Sequence, residues 1–388
     1  MVPTRFIDDG RARASHGERV DRLAPYLLKA DPLADAVVAA FDEIGQGRGF
    51  AQIEAALEQG ISRVPDAHPA IAALFREIER VPPWVDFVAI DRAGELLLRT
   101  GAFGGLILGL QSLPYGYAAP AGNKPLAFSG RLKEQAPRRL SETSRFVHAV
   151  CLPGGMRRGS EGFAICVKVR VMHAQVRRLL ARSGKWNCEA WGEPINQHDM
   201  VATTMLFSLV VLDGIRKLGF RVTDTEAQRY VQLWRYVGWL LGTDYELLFA
   251  TEAEGLELAD LIMKTQAPPD DDSRALTKAL FDSGPRGARD DKERKRAERM
   301  APVAFAMSRY LLGKETADAL AVPRSRLERA MPALRLAIRA FDGARSRLQL
   351  LDMAAVQLGS RYWEDVIARG LGKAGHDFAP PEKLAQSM

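Results

Sequence analysis

His173 lies in the middle of an apolar stretch, with Arg170 three residues before it and Arg177 four residues after it. On a helix these spacings place all three side chains on one face. A neutral imidazole is a good iron ligand, and guanidinium groups suit carboxylates such as the propionates of haem. A core histidine that only satisfies a hydrogen bond gives the same pattern. We therefore interpret His173 as a candidate metal ligand and keep a structural role as the alternative.

Arg139 and Thr143 form a second candidate pair, four residues apart on an earlier predicted helix. Both side chains can then point into one cavity. A guanidinium beside a hydroxyl would polarise a dioxygen-derived group over a metal or hold an anion. The alternative is a surface arginine and a threonine bonded to its own backbone.

The segment 192–200 predicts a tight polar loop that enters an apolar helix, with Asn196 or Asp199 as the cap. Such a loop would fix the helix that carries Phe207 against the helix that carries His173. His198 is either a second metal ligand or a loop residue near a helix start, where the helix dipole disfavours its protonation. The dinucleotide, Walker, zincin and hydrolase-elbow motifs are missing from the sequence.

The elements that must position these residues are helices, because apolar residues recur at spacings of three and four along most of the chain. The pattern predicts an all-α fold, with several short helices over 18–80. Longer helices are predicted over 137–150, 163–181, 199–218 and 226–241. Pro137 suits the first turn of its helix, where a missing N–H costs nothing.

Two further segments are rich in glycine. The stretch 96–113 is apolar but carries Arg99 and Gln111, so it predicts a buried helix and not a membrane span, which needs about 20 mostly apolar residues. The sequence therefore predicts no transmembrane segment.

The stretch 114–130 contains three prolines and three glycines and predicts an ordered loop.

Changes in composition predict four segments. They are an N-terminal helical segment (1–83), a core that carries the chemistry (84–260), a charged linker with an exposed helix (261–300), and a C-terminal helical subdomain packed on the core (301–388). The third segment is predicted from its prolines and its charge run, which usually marks a solvated face. The tail after Gly372 is expected to be loose.

Composition excludes some functions. The chain has 388 residues and a formal net charge of +6, from 54 basic against 48 acidic residues spread along its length, so nucleic-acid binding gains no support. Cys151, Cys166 and Cys188 lack metal or disulfide spacing, which fits a reducing compartment. Residues 1–22 show no apolar signal region, so we expect a cytoplasmic protein.

Several of these motifs, in this order, resemble the rubber-oxygenase (latex-clearing protein) family, which also contains the membrane-bound oxygenase of mycophenolic acid biosynthesis. The motifs are Arg139 with Thr143, the segment 168–178 around His173, the segment 191–197, Thr203, Thr204 and Phe207, and the segment 233–238. The similarity covers roughly residues 84–241.

The resemblance implies an all-α fold with a globin-like helical core around haem b. It places the axial ligand on His173 and the pocket residues on Arg139 and Thr143. Arg170, Arg177 and Phe207 are predicted to contact the cofactor. Members of the family cleave carbon–carbon double bonds of polyisoprenoid chains with dioxygen.

Two positions depart from the family pattern. Glu142 stands where rubber oxygenases have a lysine, and the loop 121–124 offers only Asn123 and Lys124 where those enzymes have a catalytic glutamate. Glu142 is either an acid or base beside the iron, with a pKa raised by burial, or a solvated glutamate in the first helical turn.

We therefore predict a haem-dependent oxygenase that uses dioxygen on an apolar small molecule or lipid, with an isoprenoid-like molecule as the candidate substrate and the segment 96–113 lining a tunnel. The predicted catalytic residues are Arg139, Glu142 and Thr143. Polyisoprene itself is a less favoured substrate, since it lies outside the cell. The alternatives are a haem carrier or sensor without turnover and a peroxidase-like haem protein.

Overall fold

The computed structural model describes residues 2–8, 10–129 and 136–371, and these ranges contain helices and no strand. The predicted all-α class is therefore confirmed. The first half of the fold contains α1 (Arg11–His16), α2 (Arg19–Leu23), α3 (Pro32–Ile44), α4 (Gln46–Gln59), α5 (Pro69–Ile78), α6 (Phe87–Ala93), α7 (Glu95–Leu98), α8 (Ala102–Ile107), α9 (Leu113–Tyr117), α10 (Lys124–Ser129) and α11 (Ala136–Cys151).

The second half contains α12 (Glu161–Arg182), α13 (Cys188–Trp191), α14 (Gln197–Phe207), α15 (Leu209–Lys217), α16 (Asp224–Leu240), α17 (Glu252–Lys264), α18 (Asp271–Arg286), α19 (Asp291–Leu312), α20 (Lys314–Ala319), α21 (Met331–Arg345) and α22 (Gln349–Leu371). The predicted helices 137–150, 163–181 and 226–241 correspond to α11, α12 and α16 within two residues at each end.

Side-chain caps begin the helices that carry the candidate residues. Asn196 accepts from the backbone N–H of Asp199 at 3.0 Å and starts α14, so Asn196 and not Asp199 is the cap. Thr223 and Glu226 form a reciprocal capping box at the start of α16. Each cap satisfies an N–H that the first helical turn leaves without a partner, and so fixes where the helix begins.

The two glycine-rich predictions are wrong in detail. The stretch 96–113 is not one helix, because Gly101 has a φ of 55° and the helical segments on either side of it are bent by 86°. It continues as α8 and a π-helical turn over Leu108–Ser112. The stretch 114–130 is not a loop: it contains most of α9 and all of α10, since Pro114 sits in the first turn of α9 and leaves that helix intact.

The predicted helix 199–218 is divided at Ser208, where φ is −103° and ψ is −80°. By length and composition, the two helices together, Gln197–Lys217, form the one stretch in the described part of the chain that is long and apolar enough to cross a membrane without a sharp bend. In its most apolar window 61% is buried within the fold, as in a core helix. The prediction that the chain has no transmembrane segment stays a prediction.

The segment 261–300 differs from the predicted linker. Its middle is α18, whose Leu276 and Leu280 are buried against Tyr117. The charge run is exposed as expected, but it forms the first half of α19. Two predicted boundaries, 260/261 and 300/301, therefore fall inside α17 and α19. The charges that suggested a linker lie on the outer faces of continuous amphipathic helices.

One hydrophobic core contains buried side chains from Ala12 in α1 to Trp363 in α22. Helix α16 lies within it, with Tyr230, Leu233 and Trp234 at most 1% exposed. Helix α11 packs between α12 and α22, and α12 also packs against α3. The helices that carry Arg139 and His173 are therefore neighbours.

Candidate functional site

His173 lies on α12 with its ring in the interior. Its Nδ1 atom is buried and has no hydrogen-bond partner among the described residues. Burial lowers the pKa of His173 to about 4, Arg177 and Arg139 lower it as well, and Asp31 partly offsets them. The ring is therefore neutral at neutral pH, which is the form that binds a metal.

Helix α11 brings Arg139 close to this ring. The guanidinium of Arg139 contributes to the lowered pKa of His173, and it also partly offsets the raised pKa of buried Tyr117. Thr143 lies one turn further along α11 and is half-buried. The two residues that the sequence paired are thus on one face of a helix that packs against α12.

Glu142 is held by a neighbour on its own helix. Nε of Arg138 donates to Oε1 of Glu142 at 3.0 Å, and the carboxylate side chain is 28% exposed. This i, i+4 pair is what a glutamate on a helix surface commonly makes. The acid or base function of Glu142 stays a prediction.

An aromatic wall joins Phe207 to α11. The ring of Phe207 stacks on Trp234 with centroids 5.0 Å apart and meets the edge of Phe146 at 6.1 Å. Phe146 lies three residues after Thr143, on the same side of α11, and also contacts Trp234. We call Phe146, Phe207 and Trp234 the aromatic wall. Their mutual ring contacts hold an apolar surface in place, and such a surface can border a flat apolar ligand. Direct cofactor contact by Phe207 stays a prediction.

Arg170 and Arg177 have partners that the sequence analysis missed. Arg170 donates to both carboxylate oxygens of Asp31 at 2.7 and 3.0 Å and to Glu77 at 3.2 Å. Arg177 donates to Asp35 at 2.7 Å. The acidic pair at i and i+4 around the start of α3 was visible in the sequence, but nothing there indicated that it faces α12.

These ion pairs fasten α3 to the histidine helix and neutralise most of its buried positive charge. One nitrogen, Nη2 of Arg177, is buried and has no hydrogen-bond partner among the described residues. Arg177 can therefore still offer a donor, whereas the guanidinium of Arg170 is engaged on both sides. Cofactor contact by these two residues stays a prediction, and the structure gives Arg170 a structural function.

The segment 121–124 is tied to α18. Asn123 donates from Nδ2 to the carbonyl of Tyr117 at 2.8 Å and to the hydroxyl of Ser273 at 3.2 Å. Lys124 forms ion pairs with Asp270, at 3.1 Å, and with Asp272. The amine of Lys124 and the amide nitrogen of Asn123 thus have structural partners, whereas Oδ1 of Asn123 is buried and has none among the described residues.

His198 is buried near the start of α14, and its Nδ1 lies 3.3 Å from Asp199, which Arg5 binds through both carboxylate oxygens. Burial lowers the pKa of His198. Within the described ranges, no group of three or more histidine, cysteine, aspartate or glutamate side chains is placed to hold a metal ion. A metal that needs several protein ligands is therefore not supported by these residues.

Comparison with known proteins places these residues in a family. The model of the catalytic domain shared by the ER-bound oxygenases mpaB/B' and rubber oxygenase matches residues 95–342. The chain belongs to this family. The resemblance predicted from the motifs is therefore confirmed. The matched range contains Arg139, Thr143, His173 and Phe207.

Two relatives of this oxygenase-family chain extend the comparison. The rubber oxygenase of Streptomyces sp. (strain K30) is 27% identical over 302 residues, which are 76% of this chain and 71% of that protein. The solved structure of latex clearing protein LCP in the closed state has a TM-score of 0.64 at 22% identity, over 86% of this chain and 91% of that one. At this identity the structural likeness shows the fold.

The family match begins after the carboxylates that neutralise α12. Asp31, Asp35 and Glu77 all precede residue 95, while Arg170 and Arg177 lie inside the match. This oxygenase-family core is therefore completed by its N-terminal helices, which supply the counter-charges of the histidine helix.

Proposed function

We propose that this chain is a haem b-dependent oxygenase that uses dioxygen on an apolar, isoprenoid-like substrate, with His173 as the axial ligand. Membership of an oxygenase family supports the reaction class. A relative named for rubber makes an isoprenoid hydrocarbon the first substrate class to test.

The orphaned ring nitrogen of His173 carries the proposal. A buried Nδ1 atom without a hydrogen-bond partner in the described ranges costs free energy unless a ligand satisfies it. Haem brings four nitrogen ligands of its own, so one histidine is enough where no cluster of protein ligands exists. Bound haem supplies the redox-active iron for dioxygen chemistry.

The other residues of the site have separate tasks. The aromatic wall of Phe146, Phe207 and Trp234 would exclude water from one side of a bound cofactor. Arg139 offers a positive charge near His173, which suits a propionate or a negatively charged oxygen species. The hydroxyl of Thr143 can donate a hydrogen bond on the same side.

An absorption spectrum of the protein, produced with added haem, tests the cofactor. We expect a Soret band that His173→Ala removes. His148→Ala is the matched control, because His148 is also buried but its Nε2 already lies 3.0 Å from the hydroxyl of Ser360. Added imidazole should restore the band in His173→Gly. A colourless wild-type protein, or a Soret band unchanged in His173→Ala, would contradict the proposal.

Oxygen uptake with squalene as the probe tests turnover. Thr143→Val should lower uptake while the Soret band stays, because a hydroxyl is lost and the shape is kept. If Glu142 is a general acid or base, Glu142→Gln lowers kcat by about 10²–10⁴. Glu161→Gln is the control, since Glu161 is likewise paired with an arginine on a helix surface.

A haem carrier or sensor without turnover is the second candidate. It is favoured by the loop 121–124, in which Asn123 and Lys124 are held by α18 and leave no carboxylate in place of the family's glutamate. A stable Soret band, together with no oxygen uptake in the presence of isoprenoid lipids, would favour this candidate over the oxygenase.

A further inference from the structure

The exposed large apolar side chains of the described residues concentrate in one helical hairpin. It consists of α21 and the first half of α22, joined by residues 346–348, and we call residues 336–358 the hairpin tip. Phe341 is 71% exposed and Leu350 is 80% exposed. The other exposed members are Leu336, Leu348, Leu351, Met353 and Leu358. Soluble proteins scatter such residues singly, whereas a concentration of them marks an interaction surface.

The hairpin tip pairs its carboxylates and exposes its apolar residues. Asp342 is fully buried and accepts from Nε of Arg345 at 2.9 Å and from the backbone N–H of Arg221 at 2.8 Å. Arg345 also pairs with Asp352 on α22. This polar network ties α21 to α22 and to the segment after α15. The polar groups between these elements therefore have partners, and the apolar side chains lie on the outer surface of the hairpin.

The exposed charged side chains of the hairpin tip, and of the residue just before it, are positive where they lack partners. Arg335, Arg339 and Arg347 are exposed, and no acidic partner for them is found among residues 136–371. Asp342 and Asp352, the carboxylates of residues 336–358, are both paired with Arg345. Exposed leucines beside uncompensated arginines are typical of surfaces that lie in the headgroup region of an anionic bilayer.

We propose that the hairpin tip docks on an anionic lipid membrane. The charge decides between this occupant and a second copy of the chain, because a symmetric dimer would bring the same arginines face to face. Lipid phosphates neutralise those arginines, and the acyl boundary takes up the leucines and Phe341. This inference does not depend on the oxygenase proposal, although a membrane also holds apolar substrates.

Flotation of the full-length protein with vesicles tests the docking. We expect binding to phosphatidylcholine vesicles that contain phosphatidylglycerol, weakened by high salt. The double variant Phe341→Ser/Leu350→Ser should lower the partition coefficient about a hundredfold, at about tenfold per apolar side chain. Arg339→Gln/Arg347→Gln should lower it about 25-fold, at about fivefold per arginine. Val88→Ser, at a 75% exposed position on α6, is the control and should bind like wild type.

Three outcomes would overturn the proposal. They are equal binding to vesicles with and without phosphatidylglycerol, tip variants that bind as well as wild type, and a wild-type dimer in sedimentation velocity that the Phe341/Leu350 variant dissociates. The last would assign the surface to a second copy. Because the substituted side chains are exposed, circular dichroism and urea unfolding of the variants should match wild type.

Discussion

Replacing Arg170 by methionine separates its structural function from its predicted cofactor function. The Arg170 side chain is 4% exposed and forms an ion pair with Asp31, whose side chain is 8% exposed. The second acidic partner of Arg170, Glu77, is 42% exposed. Methionine keeps the packing of the aliphatic stem but leaves the buried Asp31 carboxylate without its partner. Removing one member of a buried ion pair costs about 3–5 kcal/mol, and we expect that loss in the free energy of unfolding.

Urea unfolding followed by circular dichroism measures this loss, with the midpoint shifted and the m-value unchanged. The double variant Asp31→Asn/Arg170→Met should recover a large part of it, because the stranded carboxylate is then neutral. Arg274→Met is the matched control. Its pair with Asp271 is solvated, so we expect a loss of about 1 kcal/mol or less.

The spectrum of the same variant decides the cofactor question. If Arg170 is structural, the folded fraction of Arg170→Met keeps its haem at low urea, because the partners of Arg170 lie on α3 and α5. The reasoning is refuted if Arg170→Met unfolds at the same urea concentration as wild type and yet loses the Soret band.

Two further predictions concern packing and pH. A Cβ at Gly359 would lie 1.7 Å from the carbonyl oxygen of Leu98, so Gly359→Ala should destabilise the fold by about 1–3 kcal/mol or more. A Cβ at Gly343 would have nothing within 4 Å, so Gly343→Ala should stabilise the fold by about 0.5–1 kcal/mol. Thermal unfolding measures both changes. Burial lowers the pKa of His148 below 6.5, so the unfolded chain binds the proton more readily than the folded chain. This contribution to stability is complete above pH 6.5 and is lost as the pH falls below it, and urea midpoints should show a shallower acidic slope for His148→Gln than for wild type.

Helices with a strong one-sided apolar pattern were predictable from the sequence. The predicted helix 163–181 corresponds to Glu161–Arg182, and 226–241 corresponds to Asp224–Leu240, because burial of one face reinforces the local preference for helix. The breaks were not predictable. Ser208 divides an apolar stripe that is continuous in the sequence, and Gly101 adopts a left-handed φ inside a run of glycines that could have stayed helical.

The sequence predicted which candidate residues share a helix face, but it did not predict the partners of those residues. The spacing of Arg139 and Thr143 correctly placed both on one helix, and the structure brings Arg139 into electrostatic range of His173. The ion pair between Arg170 and Asp31 spans 139 residues of sequence, and a single chain gives no signal for such a pairing. Spacing along a helix therefore defines a face, while the neighbour of that face is set by the tertiary fold.

The balance of buried charge around His173 depends on this neighbour. Without α3 and α5, Arg170 and Arg177 would lie on the histidine helix as two buried cations with no counter-charge, a state that costs several kcal/mol for each ion. Asp31, Asp35 and Glu77 remove that cost from outside the family match. Within the described residues, Nδ1 of His173 and Nη2 of Arg177 remain as buried polar atoms without a hydrogen-bond partner on this face of α12. The N-terminal helices are therefore part of the candidate site, because they supply the carboxylates that neutralise the arginines on either side of His173.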